Sequence, residues 1–190
     1  MEITVILGSN TGQKRQWIEE AIRRLVGTAG PVLKASSYYE TEPWGFSCAE
    51  TFLNRVVVFN SRLDPENFLT KALEIEKQLG RVRHSGQQYE SRTIDIDILF
   101  CDSLLIHTPE LIVPHPRLAE RNFVLVPLNE IMPHFEHPLL HRKISELLIQ
   151  SPDKLSVKKI EMYKNRNIRV EKFKFRRLSI ISLLNPEYPH

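Results

Sequence analysis

The chain has 190 residues, 42% hydrophobic and 26% charged, which suits one domain with a sizeable core and excludes a disordered chain. No apolar stretch approaches the ~20 residues of a membrane span, and the N-terminus lacks a basic region leading into a cleavable apolar one. The net charge of +3 is uneven: nine Lys or Arg against two Glu fall between residues 158 and 177, while residues 1–157 sum to −3, so the main body is not a basic nucleic-acid surface.

Ile3, Val5 and Leu7 alternate and predict a first strand, closed by Gly8-Ser9-Asn10, with Ser9 or Asn10 as N-cap of the next helix. Trp17, Ile18, Ala21, Ile22, Leu25 and Val26 recur at helical spacing, with Gly27 as the stop. Residues 32–40 read as a second strand, 42–51 as a loop, and Phe52 to Asn60 as a third strand around Val56-Val57-Val58. Asp64-Pro65 opens a second helix carrying Phe68, Leu69, Ala72, Leu73 and Leu79, which Gly80 stops. Residues 81–92 form a basic loop without periodicity, and Thr93 to Phe100 reads as a fourth strand with Leu104-Leu105-Ile106 beside it. Residues 117–130 and 142–150 predict further helices. The order strand, helix, strand, strand, helix, strand is the α/β plan of a ferredoxin-like βαββαβ core, an α+β sandwich with added helices. The expected division is a domain at 1–155 and a basic C-terminal extension at 156–190, whose Val170 to Phe175 run reads as an added strand or helix packed on the domain or, alternatively, as a segment for oligomerisation or anion binding. Two cysteines, Cys48 and Cys101, without metal-ligand spacing, fit a reduced cytoplasmic protein.

Four clusters bear on chemistry. In Arg92-Thr93-Ile94-Asp95-Ile96-Asp97-Ile98-Leu99-Phe100, the strand period puts Ile94, Ile96, Ile98 and Phe100 on the core face and both aspartates on the other. Such a pair is either an exposed polar strand face or a seat for a cation that relieves its repulsion, and Mg²⁺ suits one or two carboxylates plus phosphates. Arg92 and the preceding loop, with Arg81, Arg83, His84 and Tyr89, favour the cation, because guanidiniums fork onto polyphosphate. In Val113 to Leu125, His115 and Arg121 are candidates to reach phosphates, while Phe123 either begins a buried helix or serves the site. Thr41 to Gly45 precedes Phe52 and Asn54, an aromatic and an amide on one strand face, which suits a flat hydrogen-bonding heterocycle or an ordinary strand start. Glu76, on the helix face of Leu69, Ala72 and Leu73, reads as a snorkelling surface residue or as a carboxylate aimed into the site.

Together these motifs, from about Val5 to Pro133, resemble the 6-hydroxymethyl-7,8-dihydropterin pyrophosphokinase family of folate biosynthesis. They comprise Gly8-Ser9-Asn10, Ser36 to Gly45, Phe52-Leu53-Asn54, Gly80 to Arg83, Arg92 to Leu99 and Val113 to Leu128. The resemblance implies a ferredoxin-like fold and transfer of pyrophosphate from ATP to the dihydropterin hydroxymethyl group, leaving AMP. It implies that Asp95 and Asp97 bind two Mg²⁺, and that Arg81, Arg83, Tyr89, Arg92, His115 and Arg121 contact ATP under a closing 81–92 loop. Arg81 and Arg92 count with the aspartates as catalytic. Phe52 and Phe123 would sandwich the pterin, with Thr41, Pro43, Trp44 and Asn54 lining it. The sequence departs from the family at Glu90, where a small residue is usual, and at 46–51, which lacks a common Asp-Gln. A monomer or homodimer without membrane or nucleic-acid partners is expected. The alternatives are a ferredoxin-like RNA-binding module with a basic tail, or a non-catalytic paralogue used as a scaffold. Aspartates stand where an RNA module displays aromatics.

Overall fold

The computed structural model describes residues 1–44, 50–81 and 93–161. They form β1 (Glu2–Ser9), α1 (Lys14–Thr28), β2 (Val32–Ala35), β3 (Tyr38–Thr41), β4 (Phe52–Asn60), α2 (Pro65–Gln78), β5 (Asp95–Cys101), β6 (Ile106–His107), β7 (Ile112–Val113), a 3-10 turn (Leu118–Glu120), α3 (Asn122–Ile131), α4 (Ile144–Gln150) and β8 (Val157–Ile160). The main sheet runs β5-β1-β4-β3-β8, with β2 also on β4, and every pairing is antiparallel. With β2 and β3 counted as one interrupted strand, this is the expected ferredoxin-like core.

The sheet is covered on both faces. Ile3, Val5, Leu7, Val57, Phe59, Ile96 and Ile98 point to α1 and α2, where they meet Ile18, Leu25, Phe68 and Ile75. Phe59 and Phe68 tilt against each other at 5.8 Å between centroids. Ile6, Val56, Leu99 and Phe100 point the other way, to Leu118, α3 and α4. These helices cover only part of that second face, and the uncovered part is where the site lies. No helix of the described residues is long and apolar enough to cross a membrane.

Several expectations need correction. Phe100 does not share the face of Ile94, Ile96 and Ile98. The register slips between Thr4 and Val5, which oppose Phe100 and Ile98, so Leu99 is bulged and the alternation inverts beyond it. Phe100 then packs on Phe135, 4.8 Å between centroids. Residues 32–40 are two strands, because the Ser36 hydroxyl accepts the Val56 N–H (3.0 Å) and donates to Ser37 O (2.7 Å), drawing the chain aside. Neither Ser9 nor Asn10 caps α1: Ser9 completes β1, Asn10 is fully buried, and Gln13 holds the N-cap place without a side-chain cap. Gly27 does not stop α1, which runs to Thr28. The glycine that the chain requires there is Gly30, at φ +141°, where a Cβ would lie 2.1 Å from Asn60 O. Residues 117–130 form a 3-10 turn followed by α3, and the Leu104 to Ile106 run leads into β6, which pairs with β7 rather than β5. The α2 signals hold: Asp64 accepts from Asn67 N at 2.8 Å and Pro65 is the first helical residue. In the stretch read as an extension, β8 extends the sheet beyond β3. The Val170 to Phe175 run lies outside the described residues.

Candidate active site

The antiparallel register builds the site. Asp95 stands opposite Gly8, Gly8 opposite Asn54, and Asn54 opposite Tyr39, so one row crosses four strands. Asp97 stands opposite Ile6, and Phe52 opposite Thr41. Cross-strand partners share a face, so Phe52, Asn54, Gly8, Asp95 and Asp97 all project to the partly uncovered side. Gly8 keeps that row open, since a Cβ there would lie 2.7 Å from Asn54 Oδ1. Asn54 is buried and donates from Nδ2 to Thr41 Oγ1 at 2.7 Å. The start of α3 brings Phe123 and Arg121 over the same face. Thr41, Trp44, Phe52, Asn54, Arg121 and Phe123 therefore line one cleft with both aspartates, Ile6, Gly8 and Glu42. It is apolar toward Phe52 and Phe123 and charged toward Asp95 and Asp97, as a heterocycle with a reactive tail requires.

On the far side of Asp97 lies a second cavity, of about 270 Å³, lined by Leu69, Ile96, Ile98, Pro109 to Ile112, His115 and Pro116. Asp97 belongs to both walls. This cavity is lined from α2, β5 and β7 together with the connections on either side of β7. Its apolar floor, Ile96 and Ile98, was legible only as core.

Glu76 is not a snorkelling residue. It is 2% exposed, and its Oε1 accepts the Ile96 N–H at 2.7 Å, between the two aspartates. Arg81 Nη1 lies 2.6 Å from the same oxygen and also hydrogen-bonds Asp95 Oδ1. The helix thus sends a carboxylate to fix the β5 backbone, and an arginine bridges it to the first aspartate. Burial foremost, then the Asp95 and Glu76 carboxylates, push the Asp97 pKa up to about 7, against the pull of Arg81 and Arg121. Burial and Asp95 likewise raise Glu76. Burial alone would lower the Arg81 value, but Asp95 and Glu76 outweigh it and raise it. Three carboxylates in a poorly solvated corner favour added positive charge. Among the described residues no three His, Cys, Asp or Glu converge as a closed metal site. Two carboxylates beside a cavity fit Mg²⁺, which takes few protein oxygens and completes its shell with water and phosphate.

His115 lines the second cavity, and its pKa is lowered to about 4 by burial, then by Arg121 and Arg117. It is neutral near pH 7. Two guanidiniums approach the Trp44 ring, with Arg117 Cζ 4.3 Å and Arg121 Cζ 4.7 Å from its centroid. Arg117 carried no signal of this in the sequence. Pro43, next to Trp44 in the chain, does not line the cleft. Arg83, Tyr89 and Arg92, with His84 and Glu90, lie outside the described residues.

The sequence model of 7,8-dihydro-6-hydroxymethylpterin-pyrophosphokinase matches residues 4–133. A 2-amino-4-hydroxy-6-hydroxymethyldihydropteridine pyrophosphokinase of Porphyromonas gingivalis is 42% identical over 134 residues, 70% of this chain and 90% of that protein. That of Bacillus subtilis is 41% identical over 133 residues, 70% and 78% of the two chains. A solved Plasmodium falciparum HPPK-DHPS with pteroate superposes with a TM-score of 0.64 at 18% identity. It covers 78% of this chain, which spans 42% of that longer one, and the likeness is one of fold. With most of its length matched by the family model and relatives above 40% identity, the chain belongs to the 7,8-dihydro-6-hydroxymethylpterin-pyrophosphokinase family.

Proposed function

We propose that this chain transfers the β,γ-pyrophosphate of ATP to the hydroxymethyl oxygen of 6-hydroxymethyl-7,8-dihydropterin at the junction of its two cavities, releasing AMP. The observation that carries this assignment of sites is the sharing of Asp97 between an aromatic–amide cleft and a separate cavity beside it. The cleft takes the pterin: Phe52 and Phe123 offer ring faces, and Asn54 and Thr41 offer hydrogen-bonding groups at its floor. A floor of this kind discriminates against rings that cannot pair with it. The second cavity takes the nucleoside of ATP against Ile96, Ile98 and a neutral His115.

Asp95 and Asp97 would hold two Mg²⁺, which would supply positive charge against the phosphates during transfer. Every other contribution is positional. Arg81 is held by Glu76 beside Asp95, and Arg121 lines the cleft, so two guanidiniums stand near the aspartate pair, where phosphates would lie. The hydroxymethyl oxygen forms the new bond to the β-phosphorus as the bond from that phosphorus to the α,β-bridging oxygen breaks, AMP leaves with that oxygen, and the hydroxyl proton passes to solvent. No side chain acts as a covalent nucleophile. Arg83, Tyr89 and Arg92, from the 81–92 loop, complete the ATP contacts and exclude water. The acidic sheet face and the family membership give no support to the RNA-binding and scaffold readings.

The test is purified protein with ATP, Mg²⁺ and 6-hydroxymethyl-7,8-dihydropterin, with nucleotide products separated by chromatography. AMP should accumulate in step with pterin diphosphate. Asp97→Ala should lower turnover by about 10²-fold or more, the scale of losing an electrostatic contact to the transition state. ADP as the product, or full activity of the Asp97 variant, would overturn the reading.

A further inference from the structure

The segment after the family-matched residues returns to the active site. The match ends at residue 133, yet Asp153 reaches the first residue of α3. Its Oδ2 accepts the Asn122 N–H at 2.8 Å, and its own backbone oxygen accepts from Asn122 Nδ2 at 2.8 Å. Asn122 separates Arg121, the N-cap of α3, from Phe123, and both of these residues line the cleft. The α3 N-terminus needs this help, because its N-cap residue is Arg121, whose side chain makes no cap bond. Asp153 is itself fixed, as its Oδ1 accepts the Leu155 N–H at 2.9 Å.

Six residues on from Asp153, the same segment holds the other end of the helix. Lys159 Nζ lies 2.7 Å from Glu130 Oε1, near the C-terminal end of α3. Glu130 also accepts from Ser37 N (2.7 Å), Ser37 Oγ (2.8 Å) and Tyr39 Oη (3.1 Å), which ties α3 to β3. Between these points β8 pairs with β3, placing Val157 opposite Thr41. Two walls of the cleft, α3 with Phe123 and β3 with Thr41, are therefore bound to one short stretch of chain.

We propose that residues 153–159 act as a clasp that sets the width of the acceptor cleft, with Asp153 and Lys159 as positioning residues for the pterin. Neither side chain touches the cleft. Each works through α3: Asp153 fixes the backbone from which Arg121 and Phe123 project, and Lys159 with Glu130 fixes the helix against β3. Placement errors well below 1 Å matter for a ring stacked between two aromatics and aligned for in-line attack. The inference rests on reading this cleft as the pterin site.

The experiment uses the full chain and the variants Asp153→Ala, Asp153→Asn and Lys159→Ala, measuring kcat, the pterin KM and thermal midpoint for each. Phe68→Leu serves as the reference for a merely destabilised fold, since Phe68 packs on Phe59 beneath the opposite sheet face. Asp153→Ala should raise the pterin KM about tenfold and Lys159→Ala about threefold. Asp153→Asn, which retains one acceptor oxygen, should fall between Asp153→Ala and the unmodified protein. Phe68→Leu should lower the midpoint while leaving the pterin KM within twofold. A pterin KM within twofold of the unmodified value in both Asp153→Asn and Lys159→Ala overturns the clasp, even if Asp153→Ala does not fold. An unmodified protein that neither binds nor turns over the pterin would instead overturn the cleft assignment, so the two failures are distinguishable.

Discussion

Gly8→Ala is a sharp probe of how the cleft is built, because it adds one carbon and no backbone strain. Gly8 is not among the residues at positive φ, so alanine fits the backbone of β1. The new Cβ would lie 2.7 Å from Asn54 Oδ1, and side-chain carbons essentially never approach within 3.0 Å. Asn54 must then retreat by at least the 0.3 Å between those two figures. It has little freedom to do so: it is buried, and its amide is held at 2.7 Å to Thr41 Oγ1. Weakening that buried hydrogen bond and displacing the amide costs about 1–2 kcal/mol. If the cost falls on pterin binding, kcat/KM for the pterin drops roughly 5- to 30-fold. The assay is steady-state AMP release with the pterin varied at saturating ATP, followed by the same measurement with ATP varied. The ATP KM should change by less than twofold, since Gly8 lines the cleft and not the second cavity. A double-mutant cycle identifies the cause. In an Asn54→Ala background the clash partner is gone, and adding Gly8→Ala should cost little more. A pterin kcat/KM unchanged by Gly8→Ala, or an equal penalty in both backgrounds, would show that contact with Asn54 does not control the cleft.

Other outcomes follow from the charged cluster. Glu76→Ala removes the acceptor of the Ile96 N–H and one partner of Arg81, so unfolding by denaturant should show a loss of about 2–4 kcal/mol. Glu76→Gln keeps an oxygen for Ile96 and should lose at most about half of that. His115 titrates near 4 in the fold, below its unfolded value of about 6.5. The unfolded chain therefore takes up this proton first, and stability falls as pH drops from about 6.5 toward 4, by on the order of 3 kcal/mol at most. Thermal midpoints across pH 4–7 should show that slope in the unmodified protein and a shallower one in His115→Gln. For the same reason, kcat/KM for ATP should show no inflection from His115 between pH 6 and 8.

The parts of this protein legible in the sequence are those with short-range causes. The period of two in Ile94 to Ile98 placed the aspartates on one face of a strand, because side-chain alternation is local. Asp64-Pro65 marked the start of α2, because capping is a matter of three or four neighbouring residues. The order of elements was enough to specify the ferredoxin-like core. Local patterns also misled where a longer contact took over. The Leu99 bulge, imposed by pairing with β1, moved Phe100 to the other face. Gly27 looked like a helix stop, yet the position that only glycine fits is Gly30, against the backbone of Asn60.

Depth and partnership came from long-range packing. Glu76 sits on a helix face that a carboxylate can occupy either by snorkelling or by burial. Only the packing of α2 on β5 buries it and supplies the Ile96 N–H and Arg81. The row Asp95–Gly8–Asn54 joins residues far apart in the chain, and its alignment is a consequence of strand register, which no single strand encodes. The tie from Asp153 to Asn122 spans 31 residues and arises only because α4 returns the chain to the start of α3. Local patterning along the chain settles which chemical groups are present and which strand and helix faces carry them. The fold determined which of those groups meet, because antiparallel pairing and helix packing bring together residues that the chain keeps apart.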